Sequence, residues 1–135
     1  MPWLLDTNAW IQYLKNPGSS LAHHLRQHAP PDILTAAVVK AELLHGALKY
    51  GVPERRLAIV RTTLAPYVSL PFDDAAAEQY AIIRHTLETA GHTIGPNDLM
   101  IAAMCLVHRC TVVTANTREF MRVPGLMVED WTIAP

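Results

Sequence analysis

The amino-acid sequence predicts an α/β fold, an open parallel sheet with helices on both faces, and three observations carry that prediction. Short aliphatic and β-branched runs such as WLL, ILTA and TVVT alternate with helical patterns of about a dozen residues. Most glycines and prolines fall between these segments. Half of the 135 residues are hydrophobic and 17% are charged, which suits a chain that buries about two thirds of its unfolded surface.

Each element has a local reason. WLLD, residues 3–6, reads as a short buried strand, and TNAWIQYL turns helical with Trp10, Ile11 and Leu14 at helical spacing. NPGSS ends that helix, and Ser19 or Ser20 caps a second one that runs through LAHHLRQH until Pro30 and Pro31 stop it. ILTA, residues 33–36, is the next strand, followed by a helix through VVKAELLHGALKY that Gly51 terminates. Pro53 opens a helix through ERRLAIVRTTL, and YVSLPF holds a third strand. Asp73 or Asp74 caps a long helix, AAAEQYAIIRHTLETA, which Gly91 closes. After the loop HTIGP, Asn97 caps the apolar helix DLMIAAMCLVHR. TVVT, residues 111–114, is a β-branched strand, ANTREF a loop or single turn, and LMVEDW a last edge strand. Residues 1–135 are expected to form one domain.

Composition removes several classes of function. The longest apolar stretch, Leu99 to Val107, is about half the length of a bilayer span, and MPWLLD lacks the basic region of a leader peptide, so a cytoplasmic protein is expected. Cys105 and Cys110 lack zinc or redox spacing and read as buried thiols. His24 and His28 have a four-residue spacing that can grip a metal, but no HExxH pattern accompanies them and a solvated helix face is the expectation. A net charge of −1 does not announce a nucleic-acid binder. The basic residues are nevertheless uneven, with Lys40, Lys49, Arg55, Arg56 and Arg61 in the second quarter and Arg109, Arg118 and Arg122 near the end.

Most of the twelve acidic residues sit in polar surroundings or at caps, but Asp6, Glu42 and Asp98 stand in apolar context. Each has a bland account: Asp6 accepts backbone N–H bonds from its turn, Glu42 pairs with His45 or Lys49, and Asp98 is a first-turn acid favoured by the helix dipole. The joint alternative is convergence. Parallel sheets bind ligands beyond the carboxyl ends of their strands, where Asp6 and the loop after Thr114 meet. Two or three carboxylates within about 5 Å cannot all stay ionised alone, and a divalent cation resolves the conflict. Oxygen ligands without cysteine or paired histidine suit Mg²⁺ or Mn²⁺, and phosphoryl chemistry with a metal-activated water follows.

The same residues carry a family likeness. LLDTN at 4–8, AELLHG at 41–46, NDLMIAA at 97–103 and TVVTANTREFMRVPGL at 111–126 occur in the order and spacing of PIN-domain ribonucleases, and the chain resembles the VapC toxins among them. The resemblance implies a PIN-like α/β fold and a Mg²⁺- or Mn²⁺-dependent endoribonuclease that cuts cellular RNA, commonly tRNA, and inhibits translation. It implies metal binding by Asp6, Glu42 and Asp98, with Glu42 or a neighbour orienting the attacking water. It also implies a homodimer and a cognate VapB-type antitoxin in a hetero-oligomer, with contact to DNA only through the antitoxin and none with membrane.

One position departs from the family pattern. Asn116 stands where a fourth acid is common, so it is a candidate site residue as an amide, and Glu119 is the candidate to supply the missing carboxylate. Thr7, Asn8 and Thr114 are expected to hydrogen-bond the residues that hold the metal. Two other functions compete. A haloacid dehalogenase-like phosphatase also begins with a strand ending in Asp, but needs a second acid where Asn8 stands. A non-catalytic PIN-type binding module would have no use for three intact acids.

Overall fold

The computed structural model describes residues 1–133. Five parallel strands lie in the order β3-β2-β1-β4-β5, where β1 is Trp3–Leu5, β2 Ile33–Ala36, β3 Val68–Leu70, β4 Thr111–Val113 and β5 Val128–Glu129. β1 is central: Leu4 stands opposite Leu34 of β2 on one side and Val112 of β4 on the other. Both faces of these strands are covered, which is why they read as continuous apolar runs and not as alternating ones.

The described helices are α1 (Thr7–Lys15), α2 (Ser20–Arg26), α3 (Ala37–Lys49), α4 (Pro53–Leu64), α5 (Asp74–Ala90), α6 (Pro96–His108) and α7 (Thr117–Phe120). Most ends follow from the residues expected to make them. The Ser19 hydroxyl accepts from Ala22 N–H, the Asp73 carboxylate accepts from Ala76 N–H, and Gly91 closes α5 in the left-handed conformation at φ 73°. None of these helices is long and apolar enough to cross a membrane.

Three expectations need correction. α6 is capped by Gly95 and starts at Pro96, so Asn97 lies inside its first turn: proline already has the fixed φ of a first helical residue and no N–H to leave unpaired. The last strand spans only Val128–Glu129, because Asp130 then turns the chain by accepting from Thr132 N–H. β1 stops at Leu5, and Asp6 is the cap of the helix that follows.

The core gathers Leu4, Leu5, Trp10, Ile101, Met104 and Phe120, all fully buried, and α6 supplies more of it than any other helix. Cys105 and Cys110 are buried thiols at its far end, as expected. Phe120 sits in a helix of one turn and holds it against the sheet. Phe120→Ala is expected to cost about 3–5 kcal/mol in urea denaturation, and a loss below about 1 kcal/mol would contradict its place in the core.

Candidate active site

The carboxyl ends of β1 and β4 and the N-termini of α1 and α6 meet on one rim of the sheet. Asp6 is there because the strand ends and the helix begins at that residue: its backbone N–H donates to Val113 of β4, and its Oδ1 accepts from Ala9 N–H at 2.8 Å. Only 4% of it is exposed. The bland account of Asp6 is therefore correct, yet it does not isolate the residue, because Thr114, Glu42 and Asp130 also act on its carboxylate. Burial raises the Asp6 pKa; hydrogen bonding by Thr114 and Ala9 works against that, and the charges of Glu42 and Asp130 add to it.

Glu42, half-buried one and a half turns into α3, does not pair with His45 or Lys49. Its Oε1 accepts from the Thr7 hydroxyl at 2.6 Å, which ties α3 to the first residue of α1. Asp98 is the third residue of α6, as its dipole account required, but it does not stand alone. Its pKa is pushed up to about 6, first by burial and then by the charges of Asp6, Glu119 and Glu42. Acids from four separate parts of the chain thus act on one another.

Asn116 and Glu119 work as a pair. The Asn116 side-chain amide donates to Glu119 Oε2 at 2.8 Å and also favours the ionised form of Asp98, so it stands between the two carboxylates. Thr114 accepts from the Asn116 N–H at 2.9 Å, which fixes the start of that turn. Of the three expected supporting residues, Thr7 contacts Glu42 and Thr114 acts on Asp6, whereas Asn8 is exposed and its side chain has no hydrogen-bond partner among the described residues. Asp130 was missed as a neighbour of Asp6. Its signal was positional: Thr114 N–H donates to Glu129 O, so the residue after β5 shares the rim.

His24 and His28 take no part. Their rings stack on Trp131 at 5.5 and 5.2 Å between centroids, an aromatic contact instead of the fully solvated face expected.

The donor chemistry of the rim is all carboxylate, amide and hydroxyl oxygen, which is the set a hard divalent cation takes. Among the described residues no Lys or Arg forms an ion pair with Asp6, Glu42, Asp98 or Glu119, so no direct contact with a basic side chain offsets their mutual repulsion. A ready-made cage is absent: among the described residues, no three His, Cys, Asp or Glu side chains are already grouped to hold a metal ion. The fit is thus to an ion such as Mg²⁺, which keeps several waters and needs one or two carboxylates together with phosphate oxygens.

A parallel sheet with an acid-lined rim at its strand ends is the arrangement of a PIN domain, and that family's pattern matches residues 3–126. A tRNA(fMet)-specific endonuclease VapC of Shigella flexneri is 36% identical over 132 residues, covering 98% of this chain and 99% of that protein. The crystal structure of DNA-bound VapBC from Salmonella typhimurium superposes with a TM-score of 0.91 at 34% identity, covering 97% of this chain and 98% of that one. VapBC2 from Rickettsia felis, bound to a DNA fragment from its promoter, gives 0.90 at 30% identity and covers 97% and 99%. The chain belongs to the PIN domain family, and within it to the VapC ribonucleases of toxin–antitoxin pairs.

The raised Asp98 pKa fixes the sign of a stability effect. A carboxyl that ionises harder in the folded than in the unfolded chain stabilises the fold below its unfolded pKa, and that contribution is lost as pH rises through about 6. In protein treated with EDTA, Asp98→Asn is therefore expected to raise the melting temperature at pH 8. The gain should shrink as pH falls from about 6 toward 4; an advantage that does not vary with pH would contradict the electrostatic cause.

Proposed function

We propose that this chain is the toxin of a type II toxin–antitoxin system, a single PIN domain over residues 1–135 that acts as a Mg²⁺- or Mn²⁺-dependent endoribonuclease. Its substrate is cellular RNA, with tRNA favoured by the name of the Shigella flexneri relative, and the outcome is inhibition of translation in the cytoplasm. The carrying observation is that Asp6, Glu42, Asp98 and Glu119 come from four parts of the chain to one rim, where burial first and the neighbouring charges second raise the Asp98 pKa, and among the described residues no Lys or Arg forms an ion pair with them. Two of the solved relatives are VapBC complexes bound to DNA, which supports a VapB-type antitoxin as partner; a homodimer within a hetero-oligomer and DNA contact through the antitoxin alone complete the proposal.

The residues divide the work. Asp6 and Asp98, at the starts of α1 and α6, would hold the cation, with Glu42 as a third ligand directly or through water. Bound there, a divalent ion supplies a lowered water pKa and neutralises charge developing on the phosphate. Glu42 is steadied by the Thr7 hydroxyl and can orient the attacking water. Glu119 fills the place of the fourth acid, with Asn116 as the residue that positions it and shares its amide with Asp98. Water attack with departure of the 3′ oxygen leaves a 5′-phosphate and a 3′-hydroxyl.

Asp6→Asn, Glu42→Gln and Asp98→Asn are each expected to lower tRNA cleavage by about 10²-fold or more while the circular dichroism spectrum is retained. EDTA should abolish cleavage, and Mg²⁺ or Mn²⁺ should restore it. Full activity in Asp6→Asn would remove that residue from the catalytic role, absence of cleavage by the unmodified protein would favour a binding module, and accumulation of an aspartyl-phosphate would favour a phosphatase. For the fourth position, Glu119→Ala is expected to lose more activity than Asn116→Ala; the reverse order would return that role to the amide.

A further inference from the structure

Reading the acid cluster as an RNA-cutting centre leaves one feature unused, and the inference from it rests on that reading. α1 and α3 leave the acidic rim side by side, tied there by the Thr7–Glu42 hydrogen bond. Thr7 to Lys15 and Glu42 to Tyr50 are the same number of residues, so each helix carries the chain about 12 Å away from the acids. Lys15 is the last residue of α1 and Tyr50 the C-cap of α3.

At that distance lies a groove of about 490 Å³, lined by Leu14 and Lys15 of α1 and by Val52, Arg55, Arg56 and Ile59 at the start of α4. Leu14, Val52 and Ile59 are its apolar lining, the last two exposed. Lys15, Arg55 and Arg56 are exposed at its rim, and among the described residues none of the three forms an ion pair. Arg56 is positioned: its guanidinium lies 5.9 Å from the centre of the Tyr50 ring, and its Nε is 3.2 Å from where a Cβ on Gly51 would stand. Gly51 turns at φ +65° with no side chain in the way. Three cations gathered with no ion-pair partner among the described residues, and only Glu54 beside them in the first turn of α4, suit an anionic occupant.

We propose that this groove holds the RNA substrate a few nucleotides from the scissile bond. Lys15, Arg55 and Arg56 take backbone phosphates, and Tyr50, 63% exposed, offers a face for a base to stack on. RNA is favoured over an acidic peptide by continuity: the same two helices that present Glu42 and follow Asp6 end at the groove, so a strand cut at the acids runs along them into the cations.

The test uses full-length protein and unfractionated bacterial tRNA. The Lys15→Ala/Arg55→Ala/Arg56→Ala variant is expected to raise KM for tRNA cleavage about tenfold or more and to leave kcat within about twofold. The slope of log KM against log salt should fall by about 2, since each lost single-strand phosphate contact removes roughly 0.7. If loss of Arg56 unsettles the Tyr50–Gly51 turn and the variant melts early, Lys15→Ala/Arg55→Ala gives the same test with about two thirds of the slope change. Binding is read separately, by anisotropy of labelled tRNA in EDTA. Unchanged KM, slope and binding in the variants overturn the proposal and leave the groove to an acidic peptide. Groove-dependent binding without any cleavage by the unmodified protein supports the groove and overturns the nuclease reading instead.

Discussion

Repulsion among carboxylates held by the fold at one rim is the constraint on which the site depends. Asp6 cannot swing away, because its backbone is bonded to β4 and one side-chain oxygen to the first turn of α1. Glu42 is tied to Thr7, and Glu119 is held by Asn116 on a one-turn helix anchored by buried Phe120. Asp98 is half-buried and feels the charges of the other three, and the conflict surfaces with burial in its raised pKa and in that of Asp6. A fold selected only for stability would place apolar or neutral residues here, so the retained charge marks the place where function opposes stability.

Helix dipoles soften that conflict without removing it. Asp6 caps α1 and Asp98 lies in the first turn of α6, so both meet the positive end of a helix. Such placement contributes about 0.3–1 kcal/mol per charge, less than two or three neighbouring carboxylates and partial burial cost. The direction of the Asp98 shift agrees: burial and like charge win over the dipole. Asp6 also explains why asparagine is the informative substitution there. An Asn side chain keeps the capping acceptor for Ala9 while removing the charge, whereas alanine removes both and mixes a stability loss into the functional result.

Much of the architecture was legible because it is local. β1, β2 and β4 are continuous apolar runs bounded by turns, and Ser19, Asp73, Gly51 and Gly91 mark helix ends through side-chain or backbone chemistry that needs no tertiary context. Asp6, Glu42 and Asp98 were legible for a different reason: a carboxylate in an apolar setting asks for a partner that its own segment does not supply. What escaped depends on contacts between distant segments. The start of α6 turned on Pro96 outcompeting Asn97, and the short β5 on the Asp130–Thr132 turn. Asp130 reads as an ordinary polar residue until β5 is paired beside β4 and brings it to Asp6. The pairing of Asn116 with Glu119 was within reach as a three-residue spacing in α7, but its position against Asp98 required the sheet.

The charge distribution shows why bulk electrostatics hid the functional class. A net charge of −1 averages an acidic rim at the strand ends against unpaired cations at the far ends of α1 and α3. The field that a polyanion meets is local on the scale of a Debye length, about 8 Å at physiological salt, and the two regions lie about 12 Å apart along the helices. Each therefore acts largely on its own stretch of an approaching strand. The cations attract it and the acids repel it, and a divalent ion held among the acids would lessen that repulsion as well as serve the chemistry.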